Sequence, residues 1–319
     1  MTVIHAGGVH ASLDGWPSSS YGEDADWAPP RPPLRPGDVL SPGYEVVAHL
    51  RRGHRLDVYD VWSSERGCRC VGKTLRPDRS SDRQAATRLR TEGRLLARLT
   101  HPHLVRAYET AEGQCPSVIL ETLGGCTLSF LVDEHGRLPV ADVAVLGVQI
   151  CSVLAYLHRQ RWLHLDVKPS NVVAVEGRAV LLDLSLARRI GARRTGGSFD
   201  YQSPEQGRGG RVTEAADVWG LGATLYEAAA GVAPFEEHPH RARRPDGRRI
   251  YPQCDQPAPS LRRRGTFPRQ LVDCIDGCLD ADPTARPRLH DLATALAALA
   301  GLDPKYAGTA SSTERGTGR

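Results

Sequence analysis

The sequence predicts an α+β fold of two lobes: a small strand-rich lobe with one helix, then a larger helical lobe. Three observations lead there. Between Tyr44 and Glu121, short strand-like apolar runs are bounded by turn formers and charged residues. Within that region 82–99 switches to helical spacing, with Leu89, Leu95, Leu96 and Leu99 on one side. From about residue 138 helical patterns dominate, at 140–158, 214–231, 268–279 and 288–300. A run of strands followed by a run of helices is the order of an α+β chain rather than an alternating α/β one.

The elements follow in order. Residues 1–40 are rich in Gly, Ser and Pro, with prolines at 29, 30, 32, 33 and 36, and are expected to form a disordered extension. Trp16 and Trp27 are its exceptions, either docked on the folded part or a partner or loosely exposed. Strands are predicted from Tyr44, then over 56–62, 68–75, 103–109 and 116–121. The folded domain is placed at 41–302, divided into a first lobe over 41–120, a connector over 121–127 and a second lobe over 128–302. Residues 303–319 read as a polar tail.

A hydrophobic share of 40% and a charged share of 24% exclude a wholly disordered chain. The net charge of +4 gives no reason to invoke nucleic acid, which calls for a concentrated basic face. Lysine occurs only at 73, 168 and 305, so 38 of the 41 basic residues are arginine. Against that background a lysine marks a position that needs a compact ammonium group. The eight cysteines form no C-x-x-C pair, and the start has no leader-like apolar run, so reduced thiols are expected. No uninterrupted apolar run reaches the length of a membrane span.

The chemistry concentrates after the predicted helix at 140–158. Asp166, Lys168 and Asn171 form a D-x-K-x-x-N arrangement just before the apolar strand 172–175. Asp183 ends a second apolar run, 179–182, so a turn between the two strands brings both polar ends to one side. Phosphoryl transfer needs a group that orients and deprotonates the attacking hydroxyl, a cation by the moving phosphoryl, and oxygen ligands for a metal. Asp166 suits the base, Lys168 the cation, and Asn171 with Asp183 the oxygen ligands of Mg²⁺ or Mn²⁺.

On these residues the chain resembles the eukaryotic-type serine/threonine protein kinase family in its bacterial, actinobacterial-like form, over about 42–300. The resemblance implies a bilobal protein kinase fold that binds ATP and Mg²⁺ and acts on Ser or Thr hydroxyls of protein substrates. Lys73 in Cys70-Val71-Gly72-Lys73 falls where the family holds the ATP phosphates, and Glu92 where it pairs that lysine. Glu121 and Leu123 fall in the hinge that binds adenine. Gly53 and Val58 belong to the phosphate-covering loop, and Val71 takes the place of a small residue over adenine. Gly197–Glu205 resembles the segment that closes the activation loop, Asp217 the anchor beneath the catalytic loop, and Arg286 the partner of Glu205. The Ser-Pro-Glu segment and its arginine mark protein-directed kinases rather than small-molecule phosphotransferases. The arginine bias and the resemblance together imply a cytoplasmic signalling enzyme of a GC-rich bacterium.

Three departures shape the expectations. Only Gly53 remains of three loop glycines, which leaves Arg51, Arg52 or Arg55 as side-chain phosphate contacts or as solvent-facing residues. The D-F-G triplet is Asp183-Leu184-Ser185, where a serine in place of glycine predicts a less mobile or strained turn. Leu165 replaces the arginine before the catalytic aspartate, so activity is expected not to depend on a phosphate at Thr195. The competing reading is a pseudokinase, a binding or scaffold module with a degraded nucleotide site. Arginines at 188, 189, 193, 194, 243, 244, 248, 249 and 262–264 form either a solvated face or an attraction for acidic segments of a protein substrate. The oligomeric state has no signature in the sequence.

Overall fold

The computed structural model describes residues 31–112, 115–193, 197–237 and 251–303. Trp16, Trp27, Thr195, Arg194, Arg243, Arg244, Arg248, Arg249 and the tail beyond 303 lie outside the described residues.

The first lobe is a six-stranded antiparallel sheet made of β1 (Val39–Ser41), β2 (Tyr44–Arg52), β3 (Leu56–Ser63), β4 (Cys68–Leu75), β5 (Ala107–Ala111) and β6 (Ser117–Glu121). Their spatial order is β1-β2-β3-β4-β6-β5. One face is covered by α1 (Arg83–Leu96), which Asp82 caps by accepting from the Ala85 amide. Leu89, Glu92, Gly93 and Leu96 share the buried stripe of that helix. Gly93 explains how closely α1 lies on the sheet: a Cβ there would sit 2.1 Å from Thr110 Oγ1 and 3.0 Å from Val118 Cγ2. The other face buries Tyr44, Val46, Tyr59, Val61, Cys70 and Ile119.

Part of the expected 1–40 extension is folded. Val39–Ser41 adds an edge strand, and Leu34 and Leu40 pack on that outer cluster.

The predicted strand at 103–109 divides between two places. Its later half joins β5, while Leu104 bridges in parallel to Leu181 of the second lobe. Val105 N–H donates to Leu181 O at 3.0 Å and Leu181 N–H to His103 O at 2.8 Å. The segment therefore stitches the lobes together beside the residues of chemical interest.

The second lobe comprises α2 (Leu128–His135), α3 (Val140–Arg159), α4 (Pro204–Gly207), α5 (Glu214–Ala230), α6 (Pro252–Asp255), α7 (Arg269–Cys278) and α8 (Leu289–Leu299). Three small pairings complete it: β7 (Cys126–Thr127) and β10 (Arg178–Leu181) flank β9 (Val172–Val175), and β8 (Trp162–Leu163) pairs with β11 (Arg188–Arg189). Helix α2 was not expected as a separate element, although Thr127 is a good cap and accepts from the Phe130 amide. Helix α3 is long and apolar enough to cross a membrane by length and composition. Here it is the core helix, with Val143, Ile150, Val153, Leu154 and Leu157 fully buried in one cluster with residues of α5, α7 and α8.

Candidate active site

The site is assembled from the lower face of the sheet, α1 and the loops around β9 and β10. On the sheet, Val58 pairs with Lys73 and Val71 with Leu120, so Val58, Val71 and Lys73 share one face. Lys73 Nζ donates to both oxygens of Glu92, at 2.9 and 3.0 Å, and lies 3.1 Å from Asp183 Oδ2. One ammonium thus joins α1, the sheet and the second lobe. Burial opposes its charge, but the Asp183 and Glu92 carboxylates outweigh that and hold Lys73 above the ordinary lysine range. Burial pushes Glu92 up to about 7, against the pull of Lys73. Asp183 is held well below the usual carboxylate range despite its burial, by Lys73 first and then by Ser185.

The loop from His164 to Asn171 is fixed from beneath by Asp217 of α5. That buried carboxylate accepts from His164 N–H at 2.9 Å and Leu165 N–H at 2.7 Å, and meets His158 Nε2 at 2.8 Å. Leu165 has φ +65°, a costly value for a branched side chain that these bonds hold in place. His164 Nδ1 accepts from Asp166 N–H at 3.2 Å, so its Nε2–H donates to Leu182 O at 2.9 Å. That histidine couples the loop to the residue before Asp183. Its place in the motif was visible in the sequence, but its bridging role was not.

Asp166 is nearly buried and both its oxygens are engaged. Oδ2 accepts from Asn171 Nδ2 and lies near Lys168 Nζ, each at 3.0 Å. Oδ1 accepts from Ser198 N–H at 3.1 Å and Ser198 Oγ at 2.8 Å, and Lys168 Nζ also donates to Ser198 Oγ. The Asn171 amide nitrogen is committed to Asp166, to its backbone O at 2.9 Å as well as its carboxylate, which leaves the amide oxygen as an acceptor. Leu182 N–H donates to Asn171 O at 2.8 Å, so Asn171 and Asp183 belong to adjacent, hydrogen-bonded stretches of chain. An amide oxygen and a carboxylate are the donors that Mg²⁺ takes, and this pair fits one.

The structure corrects one expectation and sharpens two others. Ser185 carries no positive φ; Asp183 does, at +63°, and Ser185 N–H donates to its Oδ1 at 2.9 Å. The serine is a brace for the aspartate rather than a strained glycine substitute, and Leu184 fills a buried apolar slot. Arg52 pairs with Asp57, and Arg55 with Asp82 and Gln84. Leu165 lies with Leu163, Val212 and Ala216 in an apolar cluster that Ile190 of the activation segment packs against.

Of the hinge residues, Glu121 accepts from Arg106 N–H through Oε1 at 2.9 Å, and Leu123 is half-buried on the large core cluster. Gly53 closes the β2–β3 hairpin, its N–H donating to Leu56 O at 2.7 Å. The basic residues of the second lobe are partly committed. Arg189 stacks on Trp162 at 4.2 Å, and Arg264 donates to Tyr226 and Glu237.

Beside the loop, the Tyr201 hydroxyl donates to Glu227. Burial pushes Glu227 up to about 7, the tyrosine lowers it, and Glu236, Asp200 and Asp133 raise it further. A carboxyl raised on folding stabilises fully below its unfolded value of 4.5, and that contribution is lost as pH rises through about 7. The loss amounts to roughly 3 kcal/mol. Glu227→Gln is expected to flatten the decline of thermal stability between about pH 5 and 8, and an unchanged slope in that variant rejects the assignment.

With this geometry in place, comparison with known proteins assigns the chain. A family model described as the protein kinase domain matches residues 44–296. Serine/threonine-protein kinase PknB of Mycobacterium leprae is 34% identical over 212 residues, 62% of this chain and 32% of PknB. Serine/threonine-protein kinase PknK of Mycobacterium tuberculosis is 31% identical over 268 residues, 80% of this chain and 23% of PknK. The chain thus spans about a quarter to a third of the length of these relatives. The crystal structure of the Mycobacterium tuberculosis PknI kinase domain superposes with a TM-score of 0.64 at 24% identity, covering 83% of this chain and 99% of that one. Fold and site define a two-lobed kinase domain of mixed α and β structure. The chain belongs to the protein kinase family, in its bacterial eukaryotic-type serine/threonine branch.

Proposed function

We propose that the protein is an active serine/threonine kinase that transfers the γ-phosphoryl of ATP to Ser or Thr hydroxyls of protein substrates. The observation that carries this reading is the Lys73 ammonium set between Glu92 and Asp183, which ties the sheet and α1 to the loop of Asp166. A decayed site has no reason to keep two buried charges and the half-buried Asp183 in register, since removing one partner leaves the others uncompensated.

In this reading Lys73 orients the ATP phosphates, and Val58, Val71, Glu121 and Leu123 frame the adenine. Gly53 turns the hairpin above the phosphates. Asp166 takes the proton of the attacking hydroxyl and Lys168 steadies the moving phosphoryl. Asn171 and Asp183 would hold Mg²⁺ or Mn²⁺, which when bound neutralises phosphate charge. The domain is read as 41–302, with its hinge at 121–127. The substrates are proteins, and acidic segments of them are the partners that the remaining arginines of the second lobe would attract, Arg189 and Arg264 being engaged already. A signalling role in the cytoplasm rests on the family alone.

The test is transfer of label from radiolabelled ATP to a generic protein substrate with Mg²⁺. Lys73→Met is expected to lower kcat/KM about 10²-fold or more, through lost phosphate orientation. Equal labelling by wild type and variant would remove the enzymatic reading and leave a scaffold module in its place.

A further inference from the structure

We propose that residues 31–41 form a strap that sets the β2–β3 hairpin, and that Asp57 is the positioning residue through which it acts. The proposal rests on the kinase reading to the extent that this hairpin covers the nucleotide phosphates.

The hairpin has lost two of the expected glycines; Arg76 holds its tip through Gly53 O and His54 O, and the ends of its two strands are tied at one buried carboxylate. Asp57 is fully buried on β3, and Arg52 reaches across the hairpin to both of its oxygens, at 2.9 and 2.7 Å. His49 Nε2 stands 3.4 Å from the same carboxylate. The strap enters this network twice. Arg52 Nη1 donates to Arg31 O at 2.8 Å, and Leu34 N–H donates to the Tyr59 hydroxyl at 3.0 Å, which itself donates to Asp57 Oδ2 at 3.1 Å. A bidentate guanidinium–carboxylate pair fixes direction as well as distance, so the ends of β2 and β3 cannot shear without breaking it.

The strap is also seated on the sheet. Gly37 N–H donates to Val46 O at 2.9 Å and Val46 N–H to Asp38 O at 2.8 Å. Leu40 lies over Gly72, where a Cβ would come within 2.3 Å of Leu40 Cδ2. Gly72 pairs with Tyr59 across β3 and β4 and directly precedes Lys73. Leu40, Gly72, Tyr59, Asp57 and Arg52 therefore make one continuous contact from the strap to the hairpin tip. The glycine at 72 admits the strap, and the hydroxyl of Tyr59 connects it.

The experiment uses the full chain and two variants that act at different ends of this contact. Tyr59→Phe removes only the bridging hydroxyl, and Gly72→Ala displaces Leu40 while leaving every hydrogen bond to Asp57 in place. Amide hydrogen exchange of residues 52–57 is measured without nucleotide, and the dissociation constants of MgATP and of adenosine are measured alongside. Both variants are expected to speed exchange in the hairpin and to weaken MgATP about tenfold. Adenosine, which has no phosphates to cover, is expected to bind as in wild type. Unchanged exchange in both variants overturns the strap, and equal weakening of adenosine and MgATP overturns the positioning role of Asp57. If wild type binds no MgATP while exchange still responds, the strap stands and the kinase reading falls.

Discussion

Replacing Asp166 by Asn is expected to lower kcat by about 10²- to 10⁴-fold while the KM for ATP changes little, the range for loss of a positioned general base. The substitution keeps shape and removes the acceptor. In the wild type one oxygen accepts from Ser198 and the other from Asn171 with Lys168 alongside. An amide must present two N–H donors toward one of these donor groups, so it loses a bond as well as its basicity. Steady-state kinetics on a peptide containing serine, at saturating Mg²⁺, decides the matter. A variant within tenfold of wild type would show that Asp166 is not the base.

The largest expected loss of stability comes from Arg286→Ala. Its side chain is fully enclosed and forms two bonds to Glu205, at 2.8 and 2.9 Å. The same guanidinium donates to Asp280 O and Ala215 O, each under 3 Å, and lies 5.0 Å from the Trp219 ring centre. Truncation leaves a carboxylate and two carbonyls without their donor, a change that costs roughly 3–5 kcal/mol. For a domain of this size the midpoint of thermal unfolding should fall by about 10 °C. A fall of under about 2 °C in a calorimetric scan would mean that water or a neighbouring residue replaces the guanidinium.

Much of this was legible in the sequence because the residues concerned lie in short runs whose order is meaningful. The D-x-K-x-x-N loop, Asp183 after an apolar run and the short apolar runs bounded by turn formers each specify local geometry without tertiary help. Helix bounds also came close, as with the predicted 140–158 against Val140–Arg159. Other features were hidden because their meaning lies across space. Nothing near Gly72 announces that Leu40 needs its missing side chain, and nothing near Asp57 announces an arginine across the hairpin. Gly93 was a readable signal passed over: a glycine inside a helix costs about 1 kcal/mol, so its presence beside Glu92 points to close packing. The expected strain at Ser185 went wrong for a similar reason. The positive φ belongs two residues earlier, at Asp183, and the serine serves that aspartate.

The cluster around Leu165 has a thermal and ionic consequence. In it Leu163, Leu165, Val212 and Ala216 meet Ile190, so the activation segment is held here by apolar contact. Salt screens attraction between charges but does not weaken apolar burial, and apolar burial loses strength on cooling. The contribution of this apolar contact should therefore be nearly indifferent to ionic strength and weaken on cooling, unlike the charged contacts that Ser198 makes with Asp166 and Lys168.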